Sequence, residues 1–472
     1  MASRILAQNV ARIHASGLAR QNARAIPTLA RTLATAADSK TRTTTLSNGL
    51  TIATETIPGS QTATVGVWID AGSRDENLSN TGAAHFVEHL AFKGTHSRSG
   101  ADFEKLVGKM GGKLDAYTTR EQTAYFAHTL KSSVSSAVEI VADVVQNSTL
   151  SEEAIEAERQ VLFREQEKAD SNPRDVVFDH LHATAFQGND LGRPVLALKE
   201  NILQLNRDDL SRFVADNYTA NRMVLVGAGA VDHEELVRLA EKNFNALKEA
   251  PRATHPTKPS FYGSEIRIRD DLNPAAHIAL AVEGAPAYSP DYYTMLVMQA
   301  IMGSWDRTLG SAAHLSSRFS HIVNTNKLAN SFDSFNLSYK DTGLWGIYLN
   351  TESKSTIDDL VYFMQLEWAR LSTTISEGEV ERAKQQVKAS LYMGLDSPAA
   401  VAETIGSQVI SVGKRIEASE IASVIDQITS KDVRRVANYY LWDKEVAVVG
   451  LGSIEGLPDY NRVRGVMSLN RF

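Results

Sequence analysis

The chain has 472 residues, 43% of them apolar and 22% charged, and a formal net charge of −7 at pH 7. That length suits two or three globular domains, and no stretch approaches the eighteen consecutive apolar residues that a membrane-spanning helix needs. There is no cysteine, so disulfides and thiolate metal sites are excluded, and imidazole and carboxylate are the only strong metal ligands available.

Residues 1–37 carry Arg4, Arg12, Arg20, Arg24 and Arg31 and no acid, among many Ala, Ser and Thr. This is the composition of a mitochondrial transit peptide. A basic arm for nucleic acid would share the charge, but lysine and interleaved aromatics are missing. Arg31-Thr32-Leu33-Ala34 resembles an arginine-guided cut site, so residues 1–33 would be removed and Ala34 would become the N-terminus. Losing five positive charges takes the net charge from −7 to −12, and an acidic surface suits basic ligands better than nucleic acid.

From Thr43 the pattern is that of strands: Thr43 to Leu46, an Asn48-Gly49 turn, Leu50 to Thr54, then alternation from Thr62 to Asp70. Gly82 to Gly94 reads as a short helix bearing His85, Glu88 and His89 in the order H-x-x-E-H. Four residues apart, the two imidazoles lie on one helix face and can take two corners of a tetrahedral zinc site. Glu88, one residue before a ligand, can reach a metal-bound water without binding the metal, as a general base for hydrolysis must. The spacing also suits an ordinary pair of packed histidines.

A second helix is expected from about Ala101 to Met110, broken by Gly111-Gly112, followed by a hairpin from Lys113 to Leu130 around Thr118-Thr119-Arg120-Glu121. Helices then dominate from Ser132 to about Asn217. Glu158 and Glu165 are seven apart, hence on one helix face. Glu165 is the candidate for a third metal ligand, although alone it reads more readily as a solvated helix glutamate. The same helix is expected to continue past Glu165 to Asp175 and Asp179, an acidic pair four apart whose repulsion a basic ligand would relieve. His180 and His182, two apart, face different ways and read as structural. Gly227-x-Gly229 lacks the third glycine of a dinucleotide loop, and Asp232 with Glu235 makes a plain helix N-cap.

Asn245 to Ser264 carries Pro251, Pro256 and Pro259 and reads as a linker. Beyond it the chain repeats itself. Asp209 to Arg212 and Val224 to Gly229 recur as Asp432 to Arg435 and Ala447 to Gly452, and Ser151-Glu152 recurs as Ser376-Glu377. This marks a duplicated domain. Aligning Gly94 with Gly303 sets Thr294, Val297 and Met298 opposite His85, Glu88 and His89, and Ser390 falls opposite Glu165. The second copy cannot hold zinc in that way.

The stretch His85 to Thr95, with Ala116 to Glu121 and Glu158 to Glu165, resembles the pitrilysin-like inverzincins, the M16-type peptidases. The similarity runs from about Thr43 to the C-terminus, and the branch it resembles holds the mitochondrial processing peptidases and the core subunits of the cytochrome bc1 complex. The resemblance implies an α+β chain of two homologous α/β domains, each a mostly antiparallel sheet with helices packed on it, facing each other as a clamshell. The organisation expected is a transit peptide at 1–33, a zinc-binding peptidase domain at 34–245, a linker at 246–264 and a homologous domain without metal ligands at 265–472. His85, His89 and Glu165 would bind Zn2+, Glu88 would be the base and Glu158 an accessory acid. Asp175 and Asp179 would read the arginine near the cut, with Asp175 a shortened form of the family's usual Glu; Asp115 likewise replaces a usual Asn. The function expected is a zinc endopeptidase subunit in the mitochondrial matrix that removes basic presequences from imported precursor proteins. The glycine-rich loop of an α subunit is absent, so a separate α-type chain is implied as partner. The rival is a core scaffold of the bc1 complex, paired with a core 2 subunit and tied to the membrane through it; a third reading is a stand-alone peptide-degrading peptidase.

Overall fold

The structure, a computed structural model, describes residues 41–250, 258–309 and 317–469. The expected transit peptide and its cut at Ala34 lie outside the described residues. Two six-stranded sheets are present. The first contains β1 (Arg42–Thr45), β2 (Thr51–Thr56), β3 (Thr62–Ile69), β4 (Lys113–Thr118), β5 (Thr123–Leu130) and β6 (Met223–Gly229), in the order β1-β2-β6-β3-β5-β4. The second contains β7 (Ser264–Arg269), β8 (Ala276–Gly284), β9 (Ser304–Asp306), β10 (Ser331–Ser338), β11 (Gly343–Thr351) and β12 (Ala447–Gly452), in the order β7-β12-β8-β11-β10-β9. Only β2 with β6 and β7 with β12 run parallel; the other pairs are antiparallel.

The duplication read from the sequence is therefore a duplication of topology, since β2-β6-β3-β5-β4 repeats as β7-β12-β8-β11-β10. Its helix starts repeat as well. Asn206 and Thr429 each form a capping box, with Asp209 and Asp432 three residues on, and Ser151 and Ser376 each accept the backbone N–H three residues ahead. Asn48-Gly49 does turn β1 into β2, with Gly49 at φ +90°, a left-handed conformation that costs glycine little. Asp232 caps its helix by accepting from the Glu235 N–H at 2.9 Å.

Each sheet buries one face under its own helices, and the other face receives a helix from the opposite half. The helix Pro173–Ala185 packs Val177, Leu181 and Ala185 onto Ala279, Phe335, Leu344 and Tyr348 of the second sheet. Reciprocally, the helix Pro398–Val412 packs Val401, Ala402 and Ile405 onto Trp68, Ala124, Val224 and Val226 of the first. Gly406 permits this approach, because a Cβ there would lie 2.4 Å from the Trp68 ring. A fully buried aliphatic or aromatic side chain contributes roughly 1.5 to 3 kcal/mol. The two exchanged helices thus outweigh any one polar contact between the halves.

The expected continuous helix through Glu165, Asp175 and Asp179 is corrected. The helix Glu152–Asp170 ends, the Asn172 side chain accepts the Arg174 N–H at 3.2 Å, and Pro173 opens a new helix. Proline has no N–H for the i−4 carbonyl and clashes with the preceding turn, so it belongs at a helix start and not in the interior. This break sends the second helix across to the other half. Among the described residues no helix is long and apolar enough to cross a membrane.

Candidate metal centre

His85 and His89 stand on the helix Ala83–Leu90, whose start is built with care. Gly82 precedes it at φ +91°, and a Cβ there would lie 2.0 Å from that of Ala197. The buried Glu76 carboxylate accepts the N–H groups of Gly82 and Ala84, each at 2.8 Å, and so does the work of a helix cap from outside the helix. Burial raises the Glu76 carboxyl to about 8, against the lowering effect of those two N–H donors and of Arg193. Glu76 was not foreseen from the sequence, and nothing in its spacing marks it.

The imidazoles of His85 and His89 meet edge to face with ring centroids 4.6 Å apart. Glu165 comes to them from the helix Glu152–Asp170: its Oε2 lies 3.0 Å from His89 Nε2 and 3.7 Å from His85 Nε2. One ligand atom from each of the three residues falls within 4.8 Å of the other two, and no other such group of acids and histidines occurs among the described residues. Glu158, two turns earlier on the same helix, places Oε2 3.3 Å from His89 Nδ1 and Oε1 2.6 Å from Lys93 Nζ. It therefore stands behind His89 and outside the cluster of three.

The charge states follow from burial and proximity. Desolvation, helped by His89, lowers His85 to about 4 and keeps it a neutral imidazole with a lone pair to give. Burial also works to lower His89, but the carboxylates of Glu165, Glu88 and Glu158 outweigh it and raise its pKa. The hydrogen bond from His89 is the main cause that brings Glu165 down to about 2, so Glu165 is an anion. Burial raises the Glu88 carboxyl, opposed by a hydrogen bond from the Thr118 hydroxyl and by His89. A carboxylate moved upward in this way is a stronger base than an exposed one.

Thr118 ends β4, the outermost strand of the first sheet. Beyond β4 no further strand is paired among the described residues; the equivalent β10 is paired with β9 only over Ser331–Asp333, and Ser334–Ser338 carry no further strand on that side. An uncovered edge can take an extended peptide by main-chain hydrogen bonds, and that of β4 lies against the helix that carries Glu88. Asp115, on the same strand, is paired with Lys113 Nζ at 2.5 Å. In the second half Thr294, Val297 and Met298 are buried in an apolar core.

Asp175 and Asp179 are not part of this cluster. Asp175 accepts from the Asn172 amide at 2.7 Å, and Asp179 forms an ion pair with Arg120 at 2.7 Å. The repulsion expected between them is thus relieved from within the chain. His182 is structural: it is buried, its Nδ1 2.6 Å from the Phe178 carbonyl and its Nε2 2.6 Å from the Tyr339 hydroxyl of the other half.

Residues 51–198 match the insulinase family, peptidase family M16, and residues 204–387 match the peptidase M16 inactive domain. The chain belongs to the M16 peptidase family. As an M16 chain it is 55% identical over 452 residues to the probable mitochondrial-processing peptidase subunit beta of Schizosaccharomyces pombe, covering 95% of this chain and 99% of that one. It is 45% identical over 426 residues to the mitochondrial-processing peptidase subunit beta of Bos taurus, covering 90% and 86%. A solved chain from complex III2 of Candida albicans superposes with a TM-score of 0.82 at 33% identity, over 91% of this chain and all of that one. M16 peptidases are metallopeptidases, and the M16 match over 51–198 contains both histidines, Glu88, Glu158 and Glu165.

Proposed function

We propose that this chain is the catalytic, zinc-bearing subunit of a mitochondrial processing peptidase, an endopeptidase that cuts presequences from imported precursors in the matrix beside an α-type companion chain. The observation that carries the reading is the cluster of His85, His89 and Glu165, with Glu88 on the same helix held by Thr118. The donor set fits zinc: two imidazoles, of which His85 is neutral and His89 is oriented by Glu158 at its Nδ1, and one anionic carboxylate. Bound there, zinc would acidify a water and polarise the scissile carbonyl. Glu88 would accept the proton of the attacking water at its carboxylate and return it to the leaving amine. The free edge of β4 would align the peptide, and Asp175 would face its arginine, with Asp179 beside it already held by Arg120.

Functionally, residues 34–245 form the zinc domain, 246–264 the linker and 265–472 the opposing domain, with 1–33 removed on import. The names of the Schizosaccharomyces and Bos relatives support the peptidase. The Candida complex III2 chain supports a second reading, in which this chain serves as core subunit 1 of a bc1 complex with a core 2 partner, as scaffold or in a dual role. Purification of the native assembly decides between them. Presequence cleavage by a two-chain complex containing zinc is the result expected; a companion set of respiratory subunits with no cleavage and no zinc would favour the scaffold.

A further inference from the structure

Two four-residue turns meet between the halves. Thr119 to Gln122 joins β4 to β5, and Tyr339 to Thr342 joins β10 to β11. Each is closed by the same bond, Thr119 N–H to Gln122 carbonyl at 2.7 Å and Tyr339 N–H to Thr342 carbonyl at 2.9 Å. The turns occupy equivalent places in the duplicated sheets, and each presents a cation followed by an acid, Arg120-Glu121 and Lys340-Asp341.

Their side chains interlock across the interface. Arg74, with 2% of its side chain exposed, is held at 2.5 Å by Glu121 of its own half and in a two-pronged grip by Asp341 of the other, at 2.6 and 3.0 Å. The Lys340 backbone N–H donates to both Glu121 oxygens at 3.1 and 3.3 Å, and the Lys340 ammonium pairs with the buried Asp70. Buried ion pairs of this kind hold only when every partner is in place, because removing one leaves a desolvated charge.

The clamped turn touches the reaction centre at its other end. Thr118, three residues before Glu121, ends β4, which packs against the helix of Glu88, and its hydroxyl bonds the Glu88 side chain. The strap that carries Arg74 backs the turn from behind: Ser73 N–H donates to Thr119 and Arg74 N–H to Arg120, at 3.3 and 2.8 Å. There is no slack here, as a Cβ on Gly72 would lie 2.4 Å from the Thr119 carbonyl oxygen.

We propose that Lys340 and Asp341 are positioning residues for Glu88, acting across the interface by clamping Glu121 and Arg74 and so the turn from which Thr118 holds the base. The inference rests on the reading of Glu88 as the general base. The half without metal ligands thereby contributes to the rate as well as to the cavity wall, and separation of the halves releases the base.

The test uses the full chain in its complex. Asp341→Ala removes one grip on Arg74 and leaves Glu121 to balance its charge; Asp341→Glu is the conservative control. The expected result for Asp341→Ala is kcat on a presequence peptide lower by about tenfold, within the usual range for coupling between sites, with KM within about twofold and zinc content unchanged. Amide exchange should rise in residues 116–123 and in the strap at residues 72–76 and nowhere else in the first half, and Asp341→Glu should recover most of both effects. Unchanged kcat, or exchange that does not rise at 116–123, overturns the proposal. So does a loss accompanied by released zinc and raised exchange throughout the first half. Failure of the underlying reading looks different: Glu88→Gln would then cleave like wild type, while the exchange arm would still report whether Asp341 holds the turn.

Discussion

The Glu158 carboxylate lies 3.3 Å from Nδ1 of His89, while Nε2 of the same ring faces Glu165 at 3.0 Å. One imidazole is thus gripped at one nitrogen and presented at the other, which separates the roles of two acids seven residues apart on one helix. On the proposed assignment Glu165→Gln removes an anionic ligand, whereas Glu158→Gln loosens an orienting contact, usually worth about 10- to 100-fold in metal affinity or activity. Zinc retained during dialysis against a chelator should fall far more in Glu165→Gln than in Glu158→Gln. Equal retention would show that the ligand has been assigned to the wrong carboxylate.

Glu88→Gln keeps the shape of the side chain and its contact with Thr118 but cannot take a proton. Cleavage should slow by at least about a hundredfold, the usual worth of general base catalysis, with zinc content unchanged. Metal analysis and a cleavage assay on the same preparation measure both; near-normal turnover would remove Glu88 from the mechanism.

Glu76 gives a pH dependence of stability with a definite sign. Its carboxyl is raised by burial from 4.5 to about 8 in the folded chain. The native state therefore binds this proton more tightly than the unfolded chain, and the contribution is full below about pH 4.5 and lost as the pH climbs through about 8. Denaturant unfolding of wild type and Glu76→Gln at about pH 5 and about pH 8 checks it. Wild type should lose stability relative to the variant as the pH rises; a constant difference would mean that Glu76 titrates normally.

Asp175 and Asp179 should differ in effect, because Asp179 is already paired with Arg120 at 2.7 Å. Asp175→Asn should lower kcat/KM for an arginine-bearing presequence by about tenfold and leave a peptide with alanine in that place nearly unchanged, as a lost charge-assisted hydrogen bond would. Asp179→Asn should harm both peptides alike, since it frees Arg120 in the turn that carries Glu121. Selective loss in Asp179→Asn instead would make that residue the arginine reader.

The sequence by itself determined the local chemistry and the plan of the fold. H-x-x-E-H on a helix requires no partner to put two imidazoles on one face, and the recurrence of Asp209 to Arg212 and Val224 to Gly229 as Asp432 to Arg435 and Ala447 to Gly452 is enough to reveal a duplicated domain. Periodicity reports on one element at a time, however, and contacts between elements distant in the chain leave no mark in it. Only the tertiary structure shows that Pro173 ends one helix and sends the next onto the other half's sheet, and that Glu76 caps the histidine helix from six residues before Gly82. Only it brings Lys340 and Asp341 onto Asp70, Arg74 and Glu121, because a buried charge is satisfied by whatever the fold places within reach, over any separation along the chain.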